Sequence, residues 1–550
     1  VTVSPKNHLW PDVWRLLALA LVVRLATALP QQQPGYMDAS YSYVNALNLA
    51  AGRGFVEDFV WNYLGRPAPP PHPSHLYWMP LTSIMAWLGM TVGGVSYRAA
   101  QMPFVALSAG LALVGYGAAL ALGGRRRHGW LAGLLVIFSG FYMPYWPAID
   151  NFAPFALFGS LALLLAGGRI SESANQRISE STNPPRPRAK PPFGAAPLLL
   201  FAAGVCAALA HLARADGPLL LIAILLWLTF HVSPLKPRPV AGLRLFLPAV
   251  LALLAGYVLA MSPWFWRNWQ VAGAILPAAG AQTIWLAGYD DLFSYGRELS
   301  ARTLLAQGWG PVLWGRWWAF TVNMQTVLAV WGMVFLLPLA LLGGWKWRNH
   351  SLAQLAGLYG LLLLAVFTVV LPFPGARGGL FHSGGALLPF INALAVLGLD
   401  TAVDWAAARR RRWRPAAAKR VFGAGLVVMA VALSGFIYTG RVLKNNAWNR
   451  ADLGYIEVAR WINQQDAAAV VMVNNPPAYR YHGGGLSVAV PNEPVAVLLT
   501  AARQYGVTYL VLEANHPAPL ADLYQNPALD PRLALVHTLG SALIFEITWP

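Results

Sequence analysis

Charged side chains are scarce in this chain of 550 residues. Asp, Glu, Lys and Arg together make up 11% of it, and acids number only 21 against 39 bases. So little charge cannot coat a water-soluble protein of this length. With 57% hydrophobic residues and a mean hydropathy of +0.49, the composition is that of a bilayer protein. Cysteine is nearly absent: the one thiol, Cys206, lies inside an apolar run, which excludes an internal disulfide framework and leaves the redox compartment undetermined. Nucleotide-binding loops are missing too. Asn474-Asn-Pro-Pro and Gly483-Gly-Gly485 are turn material, with no Lys-Ser/Thr ending and no strand-to-helix GxGxxG.

Long apolar runs, by contrast, are abundant. A helix needs about 20 apolar residues to cross roughly 30 Å of hydrocarbon. Eleven stretches qualify or come close: Trp10 to Leu29, Ala99 to Leu122, Gly129 to Tyr145, Phe152 to Ala166, Pro197 to Leu212, Gly217 to Phe230, Leu245 to Met261, Phe320 to Leu342, Leu352 to Leu371, Gly384 to Leu399 and Val421 to Tyr438. A twelfth, Leu76 to Met90, is short, and charge decides how it lies. If it stays at the interface, the basic loops at Arg125 to Arg127, Arg169 to Lys190, Lys236 to Arg244, Lys346 to Arg348 and Arg409 to Arg420 all fall on one side. With Lys6, that side holds 21 of the 39 basic residues. The expected topology is therefore an inner (plasma) membrane protein of about 11 spans with a cytoplasmic N-terminus and an extracytoplasmic C-terminus. The formal charge of +18 then needs no nucleic-acid partner.

Between the spans, residues 30–75 form a large first extracytoplasmic loop. Residues 168–196 read as a disordered cytoplasmic linker, in which Arg-Ile-Ser-Glu-Ser recurs at Arg169 to Ser173 and Arg177 to Ser181 before a proline-rich stretch. The division expected is a transmembrane unit over 1–443 and an extracytoplasmic α/β unit over 444–550. In the latter, Gly454 to Gln464 has helical spacing, Val470 to Val473 and Thr508 to Leu512 read as strands around a helix at Pro494 to Tyr505, and Leu533 to Ile547 reads as a hairpin.

Chemistry is expected first at Asp38, in the aromatic-rich segment Gly35-Tyr-Met-Asp-Ala-Ser-Tyr-Ser-Tyr that follows the first span. A carboxylate at the mouth of a membrane bundle is where a base for a lipid-carried substrate belongs. The plainer reading is a solvated loop acid. Asp58, in the same loop but outside the motif, offers the comparison.

Four stretches in order carry a family resemblance: Asp38-Ala-Ser-Tyr-Ser-Tyr continuing to Leu49-Ala-Ala-Gly-Arg-Gly-Phe55, Pro71-His-Pro-Ser-His-Leu-Tyr-Trp78, Leu212-Ala-Arg-Ala-Asp-Gly-Pro-Leu219 and Ser262-Pro-Trp-Phe-Trp-Arg-Asn268. Over roughly residues 10 to 400 the chain resembles the GT-C superfamily of membrane glycosyltransferases, nearest to the family-39 branch of protein O-mannosyltransferases and bacterial aminoarabinose transferases. It departs from that pattern at Ala39, where the family often has Glu, and at His72, Ser74 and His75, where lysine or proline is common.

The resemblance implies a GT-C-like helical fold with extracytoplasmic juxtamembrane helices. It also implies transfer of a sugar, with inversion, from a polyprenyl-phosphate donor to a lipid, glycan or protein acceptor on the extracytoplasmic face. Asp38 would be the general base. Asp150, at the outer end of the third span, would support it, orient the acceptor or share with it a divalent cation such as Mg or Mn. Donor and substrate contacts fall to His72, His75, Arg214, Arg267, Arg377 and His382, against the plainer reading of arginines that snorkel at helix ends. Two readings from other classes stay open. One is a lipid-linked glycan flippase or transporter, and the other is an oligosaccharide ligase or polymerase acting on a polyprenyl diphosphate.

Overall fold

Alanine- and leucine-rich runs with almost no charge have one way to satisfy their backbone away from water, and that is to coil into helices. The computed structural model describes residues 9–168, 195–232, 239–410 and 413–549. The repeat-bearing linker lies almost wholly outside the described residues. Ten of the eleven apolar stretches fall mainly on helix; Gly129 to Tyr145 does so only as far as Ile137, where helix Arg126–Ile137 ends and the chain turns. Leu9–Ala28, Tyr97–Ala121, Phe152–Gly168, Ala195–Ala213, Pro218–Val232, Ser351–Ala365 and Pro415–Tyr438 follow their stretches closely, while Pro239–Ala272 runs well past its own. Five helical segments among the described residues are long and apolar enough to cross a membrane by length and composition: Tyr97–Ala121, Phe246–Ala272, Ser351–Val370, Pro372–Ala407 and Pro415–Gln465. Leu81–Gly93 has only 13 residues. At 1.5 Å per residue it is about 20 Å long, short of the hydrocarbon thickness.

A second stretch also differs from a single rod. Phe320 to Leu342 divides into Trp309–Gln325, a wider π turn over Thr326–Trp331, and Leu337–Lys346. Between them Met333 and Val334 take positive φ (43° and 62°), a conformation that ends a right-handed helix.

Small residues let the helices approach. Gly204 lies against the Leu253 carbonyl and Gly256 against the Phe201 carbonyl, so a Cβ at either would collide where Ala195–Ala213 crosses Pro239–Ala272. Gly343 and Gly398 make the equivalent pair between Leu337–Lys346 and Leu388–Ala407. The largest apolar core joins these helices around Ala207, Trp227, Leu253, Leu355 and Phe390.

Two polar contacts aim the loops that follow Leu9–Ala28 and Arg126–Ile137. The buried Arg24 guanidinium donates to the Ile137 and Val136 carbonyls (2.9 and 3.1 Å), capping the end of Arg126–Ile137 where four carbonyls would otherwise lack partners. Gln31 Nε2 donates to the Pro144 carbonyl at 2.6 Å. Together they fix the 138–151 connection against the start of the first loop.

Beyond residue 453 the chain forms helices Gly454–Gln465 and Val495–Tyr505 and most of a six-stranded sheet. The strand order is Phe59–Val60, Leu486–Ala489, Val470–Val473, Val507–Leu512, Ala542–Ile547, Leu533–Leu539. The first four are parallel and the last two form an antiparallel hairpin. Phe59–Val60 belongs to the first loop. Its register, Phe59 opposite Ser487 and Val60 opposite Val488, stitches that loop to the C-terminal sheet.

Candidate functional site

The site is assembled from two chain turns. Asp38 stands in the first turn of helix Met37–Ala50, whose N-terminal flank, Tyr36, is fully extended (φ −168°, ψ 167°). Asp150 closes the aromatic turn 140–151 just before Phe152–Gly168, in a segment where Trp146 donates its indole N–H to Ser139 Oγ (2.6 Å) and stacks on Tyr142. The two carboxylates meet with His382: one donor atom of each lies within 4.8 Å of the others. Asp150 is buried, while Asp38 is half-buried, and both line a cavity of ≈ 380 Å³.

Each member is held from outside the trio. Tyr36 donates its hydroxyl to Asp150 Oδ2 at 2.8 Å, and the Asn151 N–H donates to Asp150 Oδ1 at 2.6 Å. Tyr36 itself packs edge-on against Tyr145 and Trp448. His382 Nδ1 lies 2.6 Å from Asn151 Oδ1, and its ring stacks on Phe152 with centroids 3.7 Å apart. Only a protonated Nδ1 can make that contact with an amide oxygen, so Nε2 is the nitrogen left with a lone pair. Burial, then the neighbouring Asp150 charge, raises the proton affinity of Asp38 above the ordinary carboxylate range. Burial raises that of Asp150 as well.

Arg214 supplies the cavity's guanidinium. Its Nε donates to Asp216 Oδ1 (2.9 Å) and to Ser383 Oγ (3.0 Å), and Nη1 reaches Asn151 Oδ1 at 3.3 Å. Ser383 in turn donates to Asp216 Oδ2. His75 lines the same cavity with positive φ (61°). It is fixed by Ser74 Oγ at Nδ1 (2.7 Å) and Ser83 Oγ at Nε2 (3.0 Å), and burial holds its pKa down to about 3, so the ring is neutral.

Other expected residues stand elsewhere. Arg267 does not line the cavity: it donates to the Ser74 carbonyl at 2.7 Å and lies over Trp264, with its guanidinium 4.7 Å from the ring centre. Arg377 packs on Tyr289 at 5.2 Å and is outside the cavity wall. His72 lines a neighbouring, smaller cavity, 3.5 Å from Glu57. Asp58 is no solvated loop acid: it is 3% exposed, with Arg53 bidentate on it at 2.6 Å and Arg480 at 3.0 Å.

Sequence reasoning passed over Tyr36, Asn151, Ser383 and Glu57. The first two sit within two residues of a singled-out acid, which is the signal available. Ser383 directly follows the singled-out His382, but its partner Asp216 lies 167 positions away.

The donor set suits a cation. Two carboxylates and an imidazole fit Mn²⁺ or Zn²⁺ better than Mg²⁺, which prefers oxygen ligands throughout. Asp38, Asp150 and Asp216 also face a single guanidinium across the cavity, so its wall is acidic among the described residues.

No family model matches the chain, and no curated protein matches it in sequence. Solved structures do match in fold. ArnT from Cupriavidus metallidurans bound to undecaprenyl phosphate is 14% identical, covers 98% of both chains and superposes with a TM-score of 0.54. The archaeal oligosaccharyltransferase AglB from Archaeoglobus fulgidus, in complex with an inhibitory peptide and a dolichol-phosphate, is 11% identical over 92% of this chain and 70% of that one, with a TM-score of 0.53. The Archaeoglobus fulgidus oligosaccharyltransferase in complex with Zn and sulfate matches at 11% identity over 90% and 67%, with a TM-score of 0.51. The chain thus shares the fold of these ArnT and oligosaccharyltransferase structures.

Proposed function

We propose that this chain is an integral membrane glycosyltransferase that moves a sugar from a polyprenyl-phosphate carrier to an acceptor hydroxyl on the extracytoplasmic face, with inversion. The observation that carries the reading is that Asp38 and Asp150, at the wall of a cavity that also holds Arg214, meet His382, which is not itself a wall residue. Two neighbours of the same fold were solved with a polyprenyl or dolichol phosphate, which supports a lipid-phosphate carrier here.

In this mechanism the acceptor oxygen attacks the anomeric carbon as the bond from that carbon to the phosphate oxygen breaks. The electron pair leaves with the phosphate, and the acceptor proton passes to Asp38. A carboxylate whose proton affinity is raised by burial is a stronger base than one in water, so Asp38 suits this task. Asp150, held by Tyr36 and Asn151, positions that base through its charge and, with Asp38 and His382, would hold a divalent cation. When bound, such a cation supplies positive charge for the phosphate. Arg214, the guanidinium at the cavity, orients the phosphate oxygens; Arg267, already bonded to Ser74, holds the His72–His75 segment in place.

Asp38→Asn tests the reading. It keeps the shape of the side chain and removes the base, so transfer from a synthetic polyprenyl-phosphate sugar should fall by about 10² to 10⁴ with the melting curve unmoved. A fully active, normally folded variant would sink the assignment.

A further inference from the structure

The smaller cavity, ≈ 240 Å³, opens beside the first and shares Tyr77 and Pro277 with it as wall residues. Its polar members are Glu57, Asn62 and His72, and its aromatic ones are Tyr41, Trp61 and Tyr77. Glu57 is 5% exposed; the Tyr41 hydroxyl serves its carboxyl from one side, and its Oε2 has no hydrogen-bond partner among the described residues. A buried carboxyl oxygen without a partner costs free energy comparable to a lost hydrogen bond, and such a group at a cavity wall is what a ligand hydroxyl would satisfy. Asn62 accepts from the Leu64 N–H at Oδ1 (2.9 Å), which leaves its amide N–H groups available. Trp61 is stacked on Trp78, with ring centres 3.9 Å apart and 8° between planes, so its indole is held rigidly in the wall.

We infer that this second cavity is a subsite for one pyranose ring. A sugar ring presents apolar C–H faces and a rim of hydroxyls, which match aromatic walls and a carboxyl-amide-imidazole set respectively. Other ligand classes fit poorly. A phosphate would meet Glu57 with no guanidinium or ammonium in the wall, and an acyl chain would leave Glu57 Oε2 unpaired. Burial also raises Glu57 to about 8, so near neutral pH the carboxyl can donate as well as accept, as a hydroxyl rim requires. The inference rests on the sugar-transfer reading of the first cavity. The ring belongs either to the donor or to a glycan acceptor.

Saturation-transfer NMR on the full-length detergent-solubilised protein tests it, with methyl glucoside, galactoside, mannoside and arabinoside as probes. At least one should give ring-proton signals, reduced fivefold or more in Glu57→Ala and in Asn62→Ala. Asn62→Ala decides the matter if loss of the buried carboxyl prevents folding. The Asp38→Asn protein should keep the signals, so failure of the base assignment and failure of the subsite are read separately. Competition identifies the source: displacement by a glycosylated polyprenyl phosphate but not by the bare carrier assigns the ring to the donor, and displacement by neither assigns it to the acceptor. Absence of signal from every probe, or equal signal in wild type and both variants, would overturn the subsite.

Discussion

Tyr36 and Asp150 are 114 positions apart, yet the phenol of one donates to the carboxylate of the other at 2.8 Å. Tyr36 lies two residues before Asp38, so a single extended turn of chain delivers both the proposed base and the clamp on its partner. Trp448, from the far end of the chain, closes over the turn: it packs on Tyr36 and donates its indole N–H to the Gln33 carbonyl at 2.9 Å.

Tyr36→Phe removes that clamp and nothing else of similar size. A hydrogen bond to a charged group contributes about 1.5–3 kcal/mol. Turnover should therefore fall about 10-fold or more, with the carrier-lipid KM little changed and a modest loss in melting temperature. Steady-state kinetics beside a melting curve separate the two effects. Unchanged turnover would remove Tyr36 from the machinery.

Asp58→Asn should behave unlike Asp38→Asn. It leaves Arg53 and Arg480 facing a neutral amide where a buried carboxylate held both. Breaking a buried pair costs about 3–5 kcal/mol, and here less, roughly 1–3, because both arginines keep partial contact with water. Thermal unfolding should show the loss directly. Turnover per folded molecule should stay within a few fold of wild type.

Glu57 sets a pH dependence of stability. Burial, aided by the charge of Asp58, lifts its pKa from 4.5 to about 8, with Tyr41 and Arg267 opposing the shift. The folded state therefore keeps a proton that the unfolded chain releases above pH about 4.5. Stability contributed by the protonated carboxyl is fully present below that pH and is lost as pH rises towards 8, by roughly 2–4 kcal/mol. Glu57→Gln lacks the titration. Its melting temperature should exceed wild type at pH 8 and approach it at pH 5, and parallel curves for the two proteins would refute this account.

Chelation probes the carboxylate-imidazole trio. Exhaustive removal of divalent ions should abolish transfer, and Mn²⁺ should restore it better than Mg²⁺, given the imidazole among the donors. In Asp150→Ala restoration should fail. Full activity after chelation would mean that the two carboxylates share a proton instead.

What the sequence determined by itself is local. Apolar runs without charge specify helices because the backbone has no other way to satisfy itself in hydrocarbon, and ten of the eleven runs lie mainly on helix, Gly129 to Tyr145 leaving it after Ile137. The Asp38 segment and the other ordered motifs marked the GT-C likeness for the same reason: a carboxylate after a span is visible without its neighbours.

Only the tertiary structure decided which polar groups converge. Asp150 and His382 approach Asp38 because the first turn of Met37–Ala50, the turn before Phe152–Gly168 and the segment Leu380–Gly384 come together, and Ser383 meets Asp216 across 167 positions. Arg267 reads from sequence like Arg214, but its side chain is taken up by Ser74 and Trp264, while that of Arg214 faces the cavity. Two residues, Phe59 and Val60, are too few for period-two alternation to register; the partner strand at 486–489, more than 400 positions on, makes them a strand. The break at Met333 and Val334 likewise depends on packing, since neither residue favours positive φ by itself. Sequence periodicity reports what a segment buries, and the fold alone determines what it is buried against.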